Sequence, residues 1–175
     1  SLVNSMVENY CGLAVNTRVQ RLQVTGWNGP NADQAEGLWA ASRLPQRQDR
    51  LWRWALAYGH AYVLLSKSGD ELRLYPSPPT LTAALPNPTD PYQMRVAGQV
   101  VTEQSTSLQI SRTITLYYAD RTFTYRGRGD DYRSYDLVEE YTGLGVVPAV
   151  RVAPFGDGQA LIDSIAPSQD RINKL

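Results

Sequence analysis

The sequence predicts an α+β fold, in which N-terminal helices pack on a mixed, mostly antiparallel sheet and a C-terminal helix follows. Helical apolar spacing dominates residues 1–58, strand-like alternation dominates 59–155, and helical spacing returns in 156–175. The first two parts join in the stretch LWRWALAYGHAYVLL (51–65), where a Trp-rich helix passes through Gly59-His60 into an apolar strand. A chain of 175 residues is long enough to bury a real core, so we expect one domain.

The first part contains two predicted helices before the Trp-rich one. Residues 2–21 carry apolar side chains at i, i+3 and i+4 spacing, which indicates an amphipathic helix. LQVTGW (22–27) reads as a short strand, and a turn cluster follows it. The second helix is expected over 32–42, with Asn31 as its N-cap. Its inward-facing residues are predicted to be Ala35, Leu38 and Trp39.

Arginines line the third predicted helix, which is expected to run from about Pro45 to Tyr58 and to end at Gly59. Arg43, Arg47, Arg50 and Arg53 follow three- and four-residue spacing, opposite the apolar residues. The simplest interpretation of this stripe is a solvated face. The alternative is a contact surface for a neighbouring subunit or for DNA.

Strands make up most of the second part. HAYVLL (60–65) is apolar on both sides, so we expect it to be central in its sheet. A turn at 66–70 predicts a hairpin with ELRLYP (71–76). Further strands are predicted at the following places: LTAAL (81–85, at an edge), 94–102, 107–118, 122–126, 135–142 and 146–155. A final helix starts near Gln159, and Pro167 either ends it or begins a second helix.

No pattern of residues points to catalysis, a cofactor or a metal. Cys11 and His60 are the only cysteine and the only histidine, and no partners stand at ligand spacing, so both are expected to be structural. The carboxylates of Asp130-Asp131 and Glu139-Glu140 are chain neighbours that point in different directions, which does not suit acid–base work. RGD at 128–130 has no secretion signal to support an adhesion role.

The charge balance argues against a protein devoted to gripping DNA. Lys+Arg and Asp+Glu are both 17, so the net charge is 0. A dedicated nucleic-acid binder usually carries a positive surplus. No apolar run reaches the ~20 residues that span a bilayer, so no membrane partner is expected.

Four segments, in this order, resemble the wing region of tailed-bacteriophage portal proteins of the siphophage type. They are NTRVQRLQVTGW (16–27), RLWRWALAYGHAYVLLSKSGD (50–70), LYPSPPTLTAALPNPTDP (74–91) and VPAVRVAPFGDGQALIDSIAPSQDRINKL (147–175). The family usually has a serine before the acidic-hydrophobic pair in the last segment, and Gly158-Gln159-Ala160-Leu161-Ile162 departs from that pattern. In this order and spacing, the four segments are distributed over nearly the whole chain.

The resemblance implies a structural part of a portal ring, usually of twelve subunits, at one vertex of the capsid. Double-stranded DNA is packaged and ejected through its channel without sequence specificity. The implied partners are other copies of the chain, the terminase large subunit, the head-tail adaptor, and the capsid and scaffold proteins. The protein would assemble in the host cytoplasm and reside in the virion.

Residues 1–175 would then form one wing-like domain with no enzymatic activity, as an excerpt of a longer chain that continues into stem, clip and crown. Two other functions stay open on the residues alone. One is a small α+β ligand-binding module or enzyme whose site gathers scattered residues such as Tyr58 and His60. The other is a nucleic-acid contact through Arg43, Arg47 and Arg50.

Overall fold

The computed structural model describes residues 10–68, 71–104, 110–128, 132–155 and 158–172. Within these ranges it contains four α-helices and two antiparallel sheets, which confirms the predicted α+β class. The helices are α1 (Tyr10–Val19), α2 (Ala32–Ala41), α3 (Gln48–Tyr58) and α4 (Ala166–Ile172). Short 3₁₀ turns lie at Leu44–Gln46, Tyr132–Ser134 and Leu161–Ser164.

The eight strands of the described ranges divide between a small sheet and a large sheet. In chain order they are β1 (Ala61–Ser68), β2 (Glu71–Ser77), β3 (Thr82–Asn87), β4 (Asp90–Gln104), β5 (Ile110–Tyr117), β6 (Arg121–Arg128), β7 (Asp136–Thr142) and β8 (Ala149–Val152). The small sheet has the order β2-β1-β8, so the expected central position of β1 is confirmed. The large sheet is the meander β3-β4-β5-β6-β7, with β3 at one edge as expected.

The division into two sheets differs from the single sheet that we expected. All of the observed pairs are antiparallel. The meander lies in the chain between β2 and β8, and β8 returns to the free edge of β1, where Val63 pairs with Val150. Alternation along a strand predicts its two faces, but it does not predict which strand becomes its neighbour.

The predicted strand at 22–27 is wrong. This stretch is irregular, and its backbone finds a side chain in place of a strand partner: the amide of Val24 donates to Oε1 of Gln48 at 3.0 Å. Gln48 is buried at the start of α3, and its Nε2 donates to the carbonyl oxygen of Pro45. Trp27, which follows Val24, packs edge-on against Trp39 of α2 with ring centroids 5.5 Å apart.

One helix boundary differs from expectation, and another matches one of two predicted alternatives. The third helix begins at Gln48, because the chain first makes a 3₁₀ turn that contains Pro45. Near the C-terminus, Pro167 lies in the first turn of α4, so the second of its two predicted roles is the observed one. Asn31 precedes α2 as expected but makes no capping hydrogen bond through its side chain. The predicted inward-facing residues of α2 are half-buried.

In the part of the chain that the structure describes, the core consists of three apolar clusters that join the layers. The first joins α1 and α3 to the C-terminal 3₁₀ turn through Val15, Val19, Leu56 and Leu161. A second packs α3 on β1 through Leu51, Ala55 and Ala61, with Trp54 partly buried beside them. The third joins the two sheets through Leu64, Met94, Ala97 and Ala149. The helices therefore cover one side of the small sheet, and the large sheet packs on the other.

Gly59 connects α3 to β1 at the point where a side chain has no room. It adopts a left-handed conformation with φ +78°, which favours glycine. A Cβ at this position would lie 1.9 Å from the carbonyl oxygen of Gly158. The joint between helix and sheet is thus in contact with the backbone that leads into the C-terminal turns.

Candidate functional site

Two of the predicted contact arginines line one shallow cavity at the end of α2. Arg43 and Arg47 stand on either side of the 3₁₀ turn, and Arg73 of β2 completes the cluster. The cavity encloses about 270 Å³ and is also lined by Ser42, Leu74 and Tyr75. We call these three arginines the arginine cluster.

Hydrogen bonds from two sides hold the floor of this cavity. Ser42 Oγ donates to the carbonyl oxygen of Leu38 at 2.7 Å and accepts from the amide of Leu74 at 2.8 Å. Arg73 donates from Nη1 to the carbonyl oxygen of Ala41. The end of α2 therefore packs on β2, and this contact brings Arg73 of β2 to the same cavity as Arg43.

The arginine cluster has more positive charge than its neighbours neutralise. Nη2 of Arg73 lies 2.8 Å from Oε2 of Glu71, and this hydrogen bond and charge raise the pKa of Arg73. Arg43 and Arg47 are exposed, and among the described residues neither has a carboxylate within ion-pair distance. Arg43 is also the one residue other than glycine, in the described ranges, with positive φ (54°). The cluster can accept a carboxylate or a phosphate through charge-assisted hydrogen bonds.

The predicted stripe along one helix is not formed as expected. Arg43 precedes the 3₁₀ turn and Arg47 is the N-cap residue of α3, so only Arg50 and Arg53 lie on the helix itself. Arg50 is exposed and does not line the cavity. Arg53 points to α1, where it donates to Oδ1 of Asn16.

Sequence reasoning missed Arg73, the third member of the cluster. It belongs to a strand that begins 28 residues after Arg43, and the hairpin predicted for residues 71–76 indicated no contact with the end of α2. The local sequence does not indicate where a strand will pack against the end of a helix. The cluster could be found only once the docking of Ser42 on Leu74 was known.

The surroundings of His60, the other candidate residue, fit a structural role. Its ring stands edge-on to Tyr62 with centroids 5.4 Å apart. Burial lowers the pKa of His60, the positive charge of Arg151 lowers it further, and a hydrogen bond with the backbone of Tyr58 opposes the shift. The charged group that acts on His60 is therefore a cation, whereas a catalytic histidine is usually oriented by a carboxylate. Tyr58 itself is 48% exposed.

Glu139 and Glu140 have different partners. Glu140 Oε1 lies 3.5 Å from Nη1 of Arg121, and Glu139 hydrogen-bonds Tyr141, whose pKa it raises. Asp130-Asp131 and most of the RGD triplet lie outside the described residues. In the described ranges, no three of His, Cys, Asp and Glu gather in a way that could hold a metal ion.

A family model described as "Phage portal protein, SPP1 Gp6-like" matches residues 3–175. The chain belongs to this family. It is a family of structural proteins that form an oligomeric ring at the capsid vertex of the virion, so this portal chain is a structural component of a bacteriophage. A comparison with curated proteins finds no match. Among the described residues of the portal chain, no helix has the length and apolar character needed to cross a membrane.

Proposed function

We propose that this portal chain is the peripheral wing of a ring through which double-stranded DNA is packaged and ejected. The family match over residues 3–175 carries the proposal. The net charge of 0 supports a peripheral position, because a part that surrounds the channel without holding DNA needs no positive surplus. The wing-like unit would comprise residues 1–175 as one domain.

The partners proposed for the ring follow from the same role. The chain contacts other copies of itself, usually twelve in the ring. The complete ring meets the terminase large subunit during packaging, and the head-tail adaptor, capsid and scaffold proteins around it. It assembles in the host cytoplasm and stays in the virion, and DNA passes through it without sequence specificity and without catalysis by this chain.

Electron microscopy of the protein at its full natural length tests the ring. We expect closed rings with a central channel, and native mass spectrometry would count the subunits. Particles without rings, in a protein that is folded by circular dichroism, would overturn the proposal.

An epitope tag tests the wing position separately. Asn28 and Gly29 lie in an exposed turn, where an inserted tag can extend into solvent. Bound antibody fragments should then project from the outer rim of the ring. Fragments that project into the channel would refute the wing assignment while leaving the ring itself intact.

We also propose that Arg43 and Arg47 contact an anionic surface, which is either the acidic side chains of a neighbouring subunit or the DNA backbone. Their lack of carboxylate partners among the described residues supports this role. A ligand-binding or enzymatic function has less support, because the residues named for it do not gather: Tyr58 is exposed and His60 faces Arg151.

A further inference from the structure

Arg43 occupies a backbone position that commonly belongs to glycine. Helix α2 ends at Ala41 and is capped by Ser42, so Arg43 is the next residue, where many helices have a glycine in the left-handed conformation. Arg43 adopts this conformation with φ 54°, and its amide donates to the carbonyl oxygen of Ala40 at 2.9 Å. A residue with a Cβ is strained there, and such strain is often found at functional positions. The backbone of Arg43 therefore points to a role of its guanidinium group.

The members of the arginine cluster line the cavity from three parts of the chain. Arg43 follows α2, Arg47 precedes α3, and Arg73 belongs to β2. Arginines that come from separate elements can surround one ligand, whereas arginines in a row on one helix contact several groups in line. Among the described residues that line the cavity, none is a carboxylate. The arrangement therefore suits a single anionic group.

Arg73 is held in position by the protein itself. Its Nη1 donates to the carbonyl oxygen of Ala41, and its Nη2 donates to Oε2 of Glu71 at 2.8 Å. A guanidinium group has five N–H donors, so these two bonds leave three for another acceptor. A side chain that is already ordered loses less entropy when a ligand binds. Arg73 is thus a prepared donor at the side of the cavity.

The charge and size of the site favour phosphate over carboxylate. The cluster carries three positive charges and Glu71 offsets one, which leaves more charge than one carboxylate neutralises. A phosphate monoester carries about −1.5 to −2 near neutral pH, and adjacent phosphates of a DNA backbone supply similar charge together. The tetrahedral oxygens of phosphate also offer acceptors to donors from several directions. Since one water takes about 30 Å³, a cavity of about 270 Å³ has room for a phosphate group and waters around it.

We propose that the arginine cluster is a binding site for one phosphate group, from free inorganic phosphate or from the DNA backbone. The inference rests on the anionic contact proposed for Arg43 and Arg47 and names phosphate as its ligand. Arg43 and Arg47 supply the charge that no carboxylate of the described residues neutralises, and Arg73 supplies the ordered donors. One phosphate contact is weak and carries no sequence information, which agrees with the net charge of 0.

Calorimetric titration of the full-length protein with inorganic phosphate, at constant ionic strength, tests the site. We expect saturable binding that is about tenfold weaker in Arg43→Gly and in Arg47→Gln, because each variant loses charged donors. Arg50→Gln is the matched control for Arg47→Gln, since Arg50 is exposed and does not line the cavity, and it should keep full affinity. Equal affinities in all of these proteins, or acetate bound as tightly as phosphate, would overturn the proposal.

Arg43→Gly also separates binding from folding. Glycine adopts φ 54° without strain, so this variant should keep or raise the melting temperature while it loses affinity for phosphate. Weaker binding in this variant therefore cannot be explained by unfolding. A lower melting temperature in Arg43→Gly would refute the strain from which the role of Arg43 is inferred.

Anisotropy of a labelled DNA duplex identifies the source of the phosphate group. Release of the duplex by inorganic phosphate, together with weaker duplex binding in Arg43→Gly, would identify the DNA backbone. A duplex that is not bound, or whose binding neither change alters, would identify free phosphate as the ligand. Electron microscopy keeps the two proposals apart: normal rings without phosphate binding would refute the site alone, whereas absence of rings in the unsubstituted protein would refute the proposed function.

Discussion

Replacing Gly59 by alanine should destabilise the chain by about 3 kcal/mol, and the cost has two parts. The first is conformational, because a residue other than glycine in the left-handed region costs about 1–2 kcal/mol. The second is steric: the new methyl group would lie 1.9 Å from the oxygen and 2.7 Å from the carbon of the Gly158 carbonyl, and both are backbone atoms that cannot rotate away. The helix–strand joint must then move away from the C-terminal turns, which loosens the contact of Leu56 with Leu161.

Gly145→Ala separates the two parts of this cost. Gly145 has φ +81°, nearly that of Gly59, but a Cβ there would meet no atom within 4 Å. Its alanine variant should therefore lose only the conformational part, about 1 kcal/mol.

Urea unfolding followed by tryptophan fluorescence measures both variants against the unsubstituted chain. For a chain of this size, 3 kcal/mol corresponds to a fall in melting temperature of about 6–12 °C. Equal losses for Gly59→Ala and Gly145→Ala would show that the close approach to Gly158 does not contribute, and the reasoning about the joint would be wrong.

Four further predictions concern other sites. Trp54→Ala should cost about 3 kcal/mol, the low end for a buried tryptophan, because Trp54 is only partly buried beside Leu51. Trp52→Phe should stay within about 1 kcal/mol, since it removes a buried Nε1 that has no acceptor among the described atoms and leaves only a small void. Stability should fall as pH drops through about 6.5, because the pKa of His60 is lowered in the folded chain and the unfolded chain binds the proton more readily; His60→Gln should reduce this slope. Charge reversal of Arg43 and Arg47 to glutamate should leave the melting temperature unchanged and weaken either ring assembly or DNA binding.

Each of these four predictions is checked by a measurement, and for each one a specific result would contradict it. In thermal melts, the melting temperature of Trp54→Ala should lie clearly below that of Trp52→Phe. A nearly unchanged melting temperature in Trp54→Ala would mean that α3 buries its other side. For His60→Gln, urea midpoints at pH 7.5 and 5.5 are compared, and an unchanged slope would assign the pH dependence to other groups. For the charge reversals, ring formation in electron micrographs and anisotropy of a labelled DNA duplex at two salt concentrations distinguish the two anionic surfaces. No effect on either would leave the arginines as a solvated face.

The elements that the sequence predicted well are those with a local signal. Gly59 ends α3, and the alternating strands from β4 to β7 appear where periodicity placed them. The failed strand at 22–27 shows the limit of such signals. The residues of this segment favour a strand, but the amide of Val24 donates to the buried side chain of Gln48 and not to a neighbouring strand.

The candidate site was predictable only in part, for a related reason. Arg43 and Arg47 could be proposed from their spacing, but their third partner comes from β2. The contact between Ser42 and Leu74 that gathers them joins residues distant in the chain, and nothing in either segment encodes it locally.

The path of the chain through the small sheet has a consequence for how the protein folds. β1 and β2 can form their hairpin early, because they are adjacent in the chain. β8, by contrast, is separated from β1 and β2 in the chain by the entire meander. The two distant segments must come together before Ala61 can pair with Val152. Closing so long a segment costs entropy before it gains contacts, so this pairing is expected to be the slow step of folding. Until it occurs, the open edge of β1 is available to other chains, and a portal subunit is most prone to aggregation in that interval.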